Sequence, residues 1–164
     1  MKTIKNLTFA SLAAAAIAAL CALGPTQLAL ADAGGEKGHT FDATFTKWIS
    51  TWPNMVGFVG GDVGGGTFAG EVLDISDNGA VTTIHAVYHF HGSKHFFTAH
   101  VTVMESDVTL LAVITGRVTE GWLEGASITG EYKDWLDCPI APPVNGLGPE
   151  CFQGTLNITK HSDD

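Results

Sequence analysis

Cations are scarce in this chain: eight Lys and Arg stand against seventeen Asp and Glu, a formal net charge of -9. Phosphate recognition needs clustered Lys and Arg, so this balance argues against nucleic acid or an anionic membrane surface as an electrostatic partner. Charge of either sign is sparse at 15%, against 45% hydrophobic residues, which excludes a disordered chain and sizes 164 residues for one domain. After Ala31, no stretch sustains a helical apolar period for three turns. The six glycines between Gly57 and Gly66 are followed by neither Lys-Ser nor Lys-Thr, which removes a phosphate-binding loop. No order of Ser, His and acid marks a hydrolase.

Long hydrophobic runs are also few, and the one at Leu7 to Leu23 follows Lys2 and Lys5. It is short for a membrane span, the helix-breaking Gly24-Pro25 comes next, and Ala29-Leu30-Ala31 supplies small residues at signal-peptidase spacing. The pattern predicts a secretory signal over 1–31 and an exported domain over 32–164, secreted or periplasmic, with no membrane anchor after cleavage. The exported part keeps six cations against seventeen acids, a net charge of -11. It loses Cys21 and keeps Cys138 and Cys151, which in an oxidising compartment have only each other as partner. The Pro- and Gly-rich segment between them reads as a loop closed by that disulfide.

What remains reads as strands. Runs rich in Val, Ile, Thr, Phe and Tyr lie at Phe41 to Ile49, Thr67 to Ile75, Ala80 to His91, Lys94 to Met104, Thr109 to Thr115, Leu123 to Tyr132 and Phe152 to Ile158, with a short one at Val56 to Val59. Short loops such as Asp77-Asn78-Gly79 join them. Sequential strands of this number predict an all-β fold, a small antiparallel up-and-down barrel of about eight strands that leaves no free edge. Gly92-Ser93 matches a two-residue type II′ turn, which sets His91 opposite Lys94, His89 opposite Phe96 and His85 opposite His100. That register gathers Ala86, Tyr88, Phe90, Phe97, Ala99, Val101 and Val103 on one face and the histidines on the other.

Leu110-Leu111-Ala112-Val113-Ile114-Thr115-Gly116, followed by Gly121-Trp122-Leu123-Glu124-Gly125-Ala126, resembles a segment of the allene oxide cyclase-like barrels, where a strand ending Ile-Thr-Gly-Gly leads into Phe-x-Gly-Ala. The hairpin of Ala86 to Phe90 and Lys94 to Met104 is similar to the one that precedes it there, and the related dirigent proteins share the barrel. The resemblance spans roughly residues 57 to 132. It implies a calycin-type barrel that assembles as a homotrimer, an arrangement that would cover the apolar residues borne on both faces of the first strand, such as Phe45 and Trp48. It implies no catalytic residue: the family's first-strand glutamate has no counterpart in Phe41 to Trp48, and Arg117 replaces the second glycine.

Three sets of side chains are candidates for chemistry. Alternation groups Glu71 with Ala69, Leu73 and Ile75; were that face the interior, the desolvated carboxyl would hold its proton and act as a general acid or base. Were the other face the core, Glu71 would meet water. Glu124 is the second candidate acid, at the mouth of a cavity lined by Trp122, Tyr132 and, from the hairpin, Tyr88, whose flat apolar bodies and polar tips suit a ligand. An ordinary core with one rim carboxylate is the other reading of that row. His89 and His91 share a strand face about 7 Å apart, a chelating spacing, though His85 lies roughly 13 Å from His89 and no third ligand converges; a solvated histidine face is the alternative. No cofactor is indicated. Two functions follow: a secreted barrel holding a small apolar molecule in its lumen, with or without cyclase or isomerase activity, or a metal-binding or purely structural secreted barrel using the histidine face.

Overall fold

β-branched and aromatic residues that alternate between two environments, broken by Gly, Asn and Asp, form strands rather than helices. The computed structural model describes residues 38–141 and 149–160. Its strands are β1 (His39–Thr51), β2 (Asn54–Gly61), β3 (Gly66–Asp77), β4 (Val81–Gly92), β5 (Phe96–Ser106), β6 (Leu111–Gly121), β7 (Ser127–Leu136) and β8 (Glu150–Lys160). Each pairs antiparallel with the next and β8 closes onto β1, so the protein is a closed eight-stranded up-and-down barrel. The predicted signal segment lies outside the described residues.

Up-and-down order sends alternate turns to opposite ends. The β2–β3, β4–β5 and β6–β7 turns share one end with the start of β1, and the β1–β2, β3–β4, β5–β6 and β7–β8 connections share the other. At the first end the Trp122 ring stacks on His95 at 4.0 Å and meets Phe41 edge-on at 4.9 Å, plugging the barrel. Midway, Phe45, Phe68, Phe90, Phe97 and Leu156 fill the lumen, with Phe90 and Phe97 stacked at 4.6 Å. Every one of these is buried, so the centre is a packed core rather than a channel.

Three local features depart from the sequence reading. The β4–β5 hairpin pairs His91 with Phe96, His89 with Thr98 and His85 with Thr102, two residues away from the two-residue-turn register. The reason lies in the neighbouring turn: Ser93 N donates to Gly65 O and Lys94 N to Val63 O, both at 3.0 Å, which holds Gly92 to His95 open as a wider loop. A shift of two leaves every side chain on its predicted face. In β3 the pairing slips between Val72 and Asp74, so Leu73 is an extra residue, and Ile75 faces Ile84 while Glu71 faces Val87. Finally, β7 starts at Ser127 rather than Leu123, because Gly121, Leu123 and Gly125 all take positive φ and make residues 122–125 a turn.

Cys138 and Cys151 form the predicted disulfide, with Cα atoms 5.6 Å apart and both residues buried. The bridge packs with Ala141 against Trp48, which faces out of β1 and touches Phe58 edge-on at 5.3 Å. A buried disulfide of this kind is more typical of extracellular proteins.

Candidate functional site

The second end of the barrel is open. Its lip is the β1–β2 turn, where the Trp52–Pro53 peptide is cis and the Trp52 side chain is 63% exposed. Inside the lip lies a cavity of about 270 Å³, walled by apolar side chains including Ile49, Met55, Ile75, Ile84 and Phe152, with Glu105, Asp134 and Glu150 as its charged lining. The bulge at Leu73 is what turns Ile75 into this wall. The volume is close to the lower end, about 300 Å³, of small-molecule sites. A larger hollow of about 560 Å³ runs across the outer surface past Thr44, Thr46, Phe58, Lys133 and Gln153. It is the shallower of the two, lined mostly by exposed or half-buried side chains, so the less open end cavity is the stronger candidate.

Beneath the cavity floor sits Lys47, 1% exposed. Its place follows from alternation: Ala43, Phe45, Lys47 and Ile49 all point inward from β1. The Lys47 Nζ donates to the Tyr88 hydroxyl at 2.6 Å and lies 4.2 Å from the centre of the Tyr132 ring and 4.7 Å from that of Tyr88. Tyr132 in turn donates its hydroxyl to Glu105 Oε2 at 2.6 Å. A lysine held among rings has lost its water, and burial brings its pKa down from 10.5 to about 7 even though Glu105 and Asp134 pull it back up. Asp134 moves the opposite way, to about 7, because burial first and then Glu105 and Glu150 disfavour its charge, while Lys47 favours it. Burial also pushes both phenols up, so they remain hydrogen-bond donors. Asp134 Oδ1 is buried without a hydrogen-bond partner. At neutral pH, therefore, the cavity floor and the layer under it each hold a group poised between protonation states.

The residues singled out from sequence are scattered around this site. Tyr88 and Tyr132 are part of it, as the phenols that surround Lys47. Trp122, placed in the same row as Tyr132, is at the opposite, plugged end, because the positive-φ turn breaks the alternation between them. Glu124 is on that same turn, exposed, with its carbonyl accepting from Lys160 Nζ at 2.6 Å, so it marks no cavity mouth. Glu71 is exposed on the outer surface, since Phe68, Gly70 and Val72 form the inward row of β3. His89 and His91 are outward too, with His89 Nδ1 and Thr98 Oγ1 3.2 Å apart, and no group of three or more potential metal ligands converges among the described residues. Lys47, Glu105, Asp134 and Glu150 escaped the sequence reading. The signal was present for all four: Lys47 continues the apolar row of β1, Glu105 that of Phe97, Ala99, Val101 and Val103, Asp134 that of Ile128 and Tyr132, and Glu150 that of Phe152, Leu156 and Ile158.

Fold and cavity together define a closed antiparallel barrel, plugged at one end and hollow at the other over a buried lysine. No family model, curated protein or solved structure matches the chain.

Proposed function

We propose that this is a secreted barrel of the allene oxide cyclase-like kind that binds a small, mainly apolar molecule in its open end and exchanges a proton with it, as a cyclase or isomerase does. The observation that carries the reading is the juxtaposition of an apolar-walled cavity with Asp134 on its floor and Lys47 directly beneath. A buried lysine that meets a phenol and ring faces is a costly arrangement for a fold alone, and such costs concentrate at functional sites. Asp134, with its proton affinity near neutrality and one oxygen unpartnered, is the group that meets the ligand; Lys47 sets the field under it. Secretion is supported by the Lys-led apolar run before Ala31 and by the disulfide. The family likeness rests on the strand and turn pattern around Ile114-Thr115-Gly116. A homotrimer belongs to the same proposal, supported by the outward, exposed Met104, Leu111 and Val113 on β5 and β6.

The test is an amide-resolved NMR titration of the disulfide-bonded chain with hexanol, a neutral probe small enough for the cavity. Shifts at Met55, Ile84 and Asp134 should saturate together while those around Trp122 stay still. Shifts that never saturate, or that spread over the outer strand faces, would remove the cavity as a binding site.

A further inference from the structure

We infer that the molecule taken by the open-end cavity is an apolar cation, an aliphatic or aromatic amine or a quaternary ammonium ion, and not an apolar acid. The inference rests on the cavity being a ligand site and adds the charge of the ligand. Among the lining residues the charged ones are Glu105, Asp134 and Glu150, all carboxylates. Among the described residues the inward cation nearest the cavity, Lys47, is no counter-ion for an incoming anion: it is 1% exposed, and its Nζ is taken up by Tyr88 and the tyrosine rings. A carboxylate entering the cavity would therefore meet like charge before it met any donor. An ammonium group would meet the carboxylates of Glu105, Asp134 and Glu150 that line the cavity and, on the lip, the exposed Trp52 side chain.

The distribution of charge over the whole barrel points the same way. Asp77 ends β3, and Asp107 and Asp137 stand on connections, all three at the open end. At the plugged end, Lys94 on the β4–β5 turn, Lys160 at the end of β8 and Arg117 opposite the start of β7 offset most of the charge of Asp42, Asp62, Glu120 and Glu124. Lys133 is nearer the open end but faces outward and is exposed. A low-dielectric cavity rimmed by charge of one sign focuses field lines and draws in ions of the other.

Three probes built on a six-carbon chain test this on the disulfide-bonded chain: hexyltrimethylammonium, hexanol and hexanoate, each titrated at pH 8 with the Met55 and Ile84 amides as reporters. The cation should bind about tenfold more tightly than hexanol, with hexanoate weakest, since a single screened charge pair is enough for that factor. Asp134→Asn should bring the cation down to the affinity of hexanol and leave hexanol unchanged. Wild-type protein gives a second readout, because the groups facing Asp134 are Glu105, Glu150, Lys47 and Tyr132, and both Asp134 and Lys47 take up protons as pH falls through about 7. Affinity for the permanently charged probe should then fall from pH 8 to pH 6 while that for hexanol holds. Hexanoate binding as tightly as the cation, or hexanol binding with no advantage to the cation, would overturn the charge inference and leave the cavity reading intact. If none of the three moves the reporters, the cavity reading itself fails.

Discussion

Replacing Lys47 with methionine should make the protein more stable at neutral and mildly acidic pH. The side chain keeps an unbranched apolar stem and loses the ammonium that burial penalises. A fall in pKa from 10.5 to about 7 corresponds to about 5 kcal/mol of interaction set against the charged form. Because the group is fully buried, solvent screening does not reduce the figure. Against it stand the ring faces around Nζ, about 2 kcal/mol for a desolvated cation, and the Tyr88 hydroxyl, left without a partner at about 1 kcal/mol. The net expectation is a gain of about 2 kcal/mol below pH 7.

The pH dependence separates this cause from simple repacking. For a lysine with a lowered folded pKa, both folded and unfolded chains hold the proton below about 7, and the full penalty applies. Between about 7 and 10.5 the folded chain has released its proton and the unfolded chain has not, so wild-type stability rises with pH through that window. The advantage of Lys47→Met should accordingly shrink from pH 7 upward and reverse by pH 10, where the neutral amine costs nothing and still satisfies Tyr88. Asp134 has its own effect at lower pH: its raised pKa makes the folded state lose stability as pH climbs from 3.8 toward about 7. Urea unfolding of both chains at pH 6, 7, 8.5 and 10 gives the difference directly. A difference that stays constant across that range, or a variant less stable at pH 6, would refute the claim that a desolvated charge sits under the cavity.

Two further outcomes are expected. Reducing the Cys138–Cys151 bridge, or replacing both residues with serine, should cost about 3 kcal/mol for a loop of this length and lower the melting temperature, while the far-ultraviolet signature of the barrel persists because β8 remains paired to β1 and β7; an unchanged melting curve with free thiols would contradict this. Light scattering at micromolar concentration and moderate salt should give three times the chain mass, and a monomer under those conditions would dispose of the trimer.

Much of the fold was legible because a barrel of hairpins needs little information beyond alternation and turns. Ala86, Tyr88 and Phe90 on one strand and Phe97, Ala99, Val101 and Val103 on the next can share a face in only one parity, and that parity decides the core. The turn itself was less legible. Gly92-Ser93 has the chemistry of a tight two-residue loop, but the donors of Ser93 and Lys94 are claimed by carbonyls of a turn some thirty residues earlier in the chain. A contact of that range leaves no local trace. The same holds for Leu73, where the bulge is fixed by pairing with β4 and the sequence reads as unbroken alternation.

The candidate cavity was less legible for a different reason. His89, His91, Glu71 and Glu124 drew attention by residue type, yet in an alternating strand the informative quantity is residue type against face. A histidine or glutamate in the polar row of a half-buried sheet is ordinary, because that row meets water. A charge in the apolar row is not, because it must either lose its water or sit where the row runs out of the core. Lys47 is the first case, and Glu105 and Asp134 are the second. Besides β8, which opens on Glu150, three strands carry such a residue, and up-and-down order fixes where these lie: β1, β5 and β7 all run from the plugged end to the open end, and all three residues fall late in their strands. Parity and strand direction together therefore place all three charges at one mouth of the barrel, the end where an inward-pointing carboxylate can keep part of its hydration and still face an apolar wall.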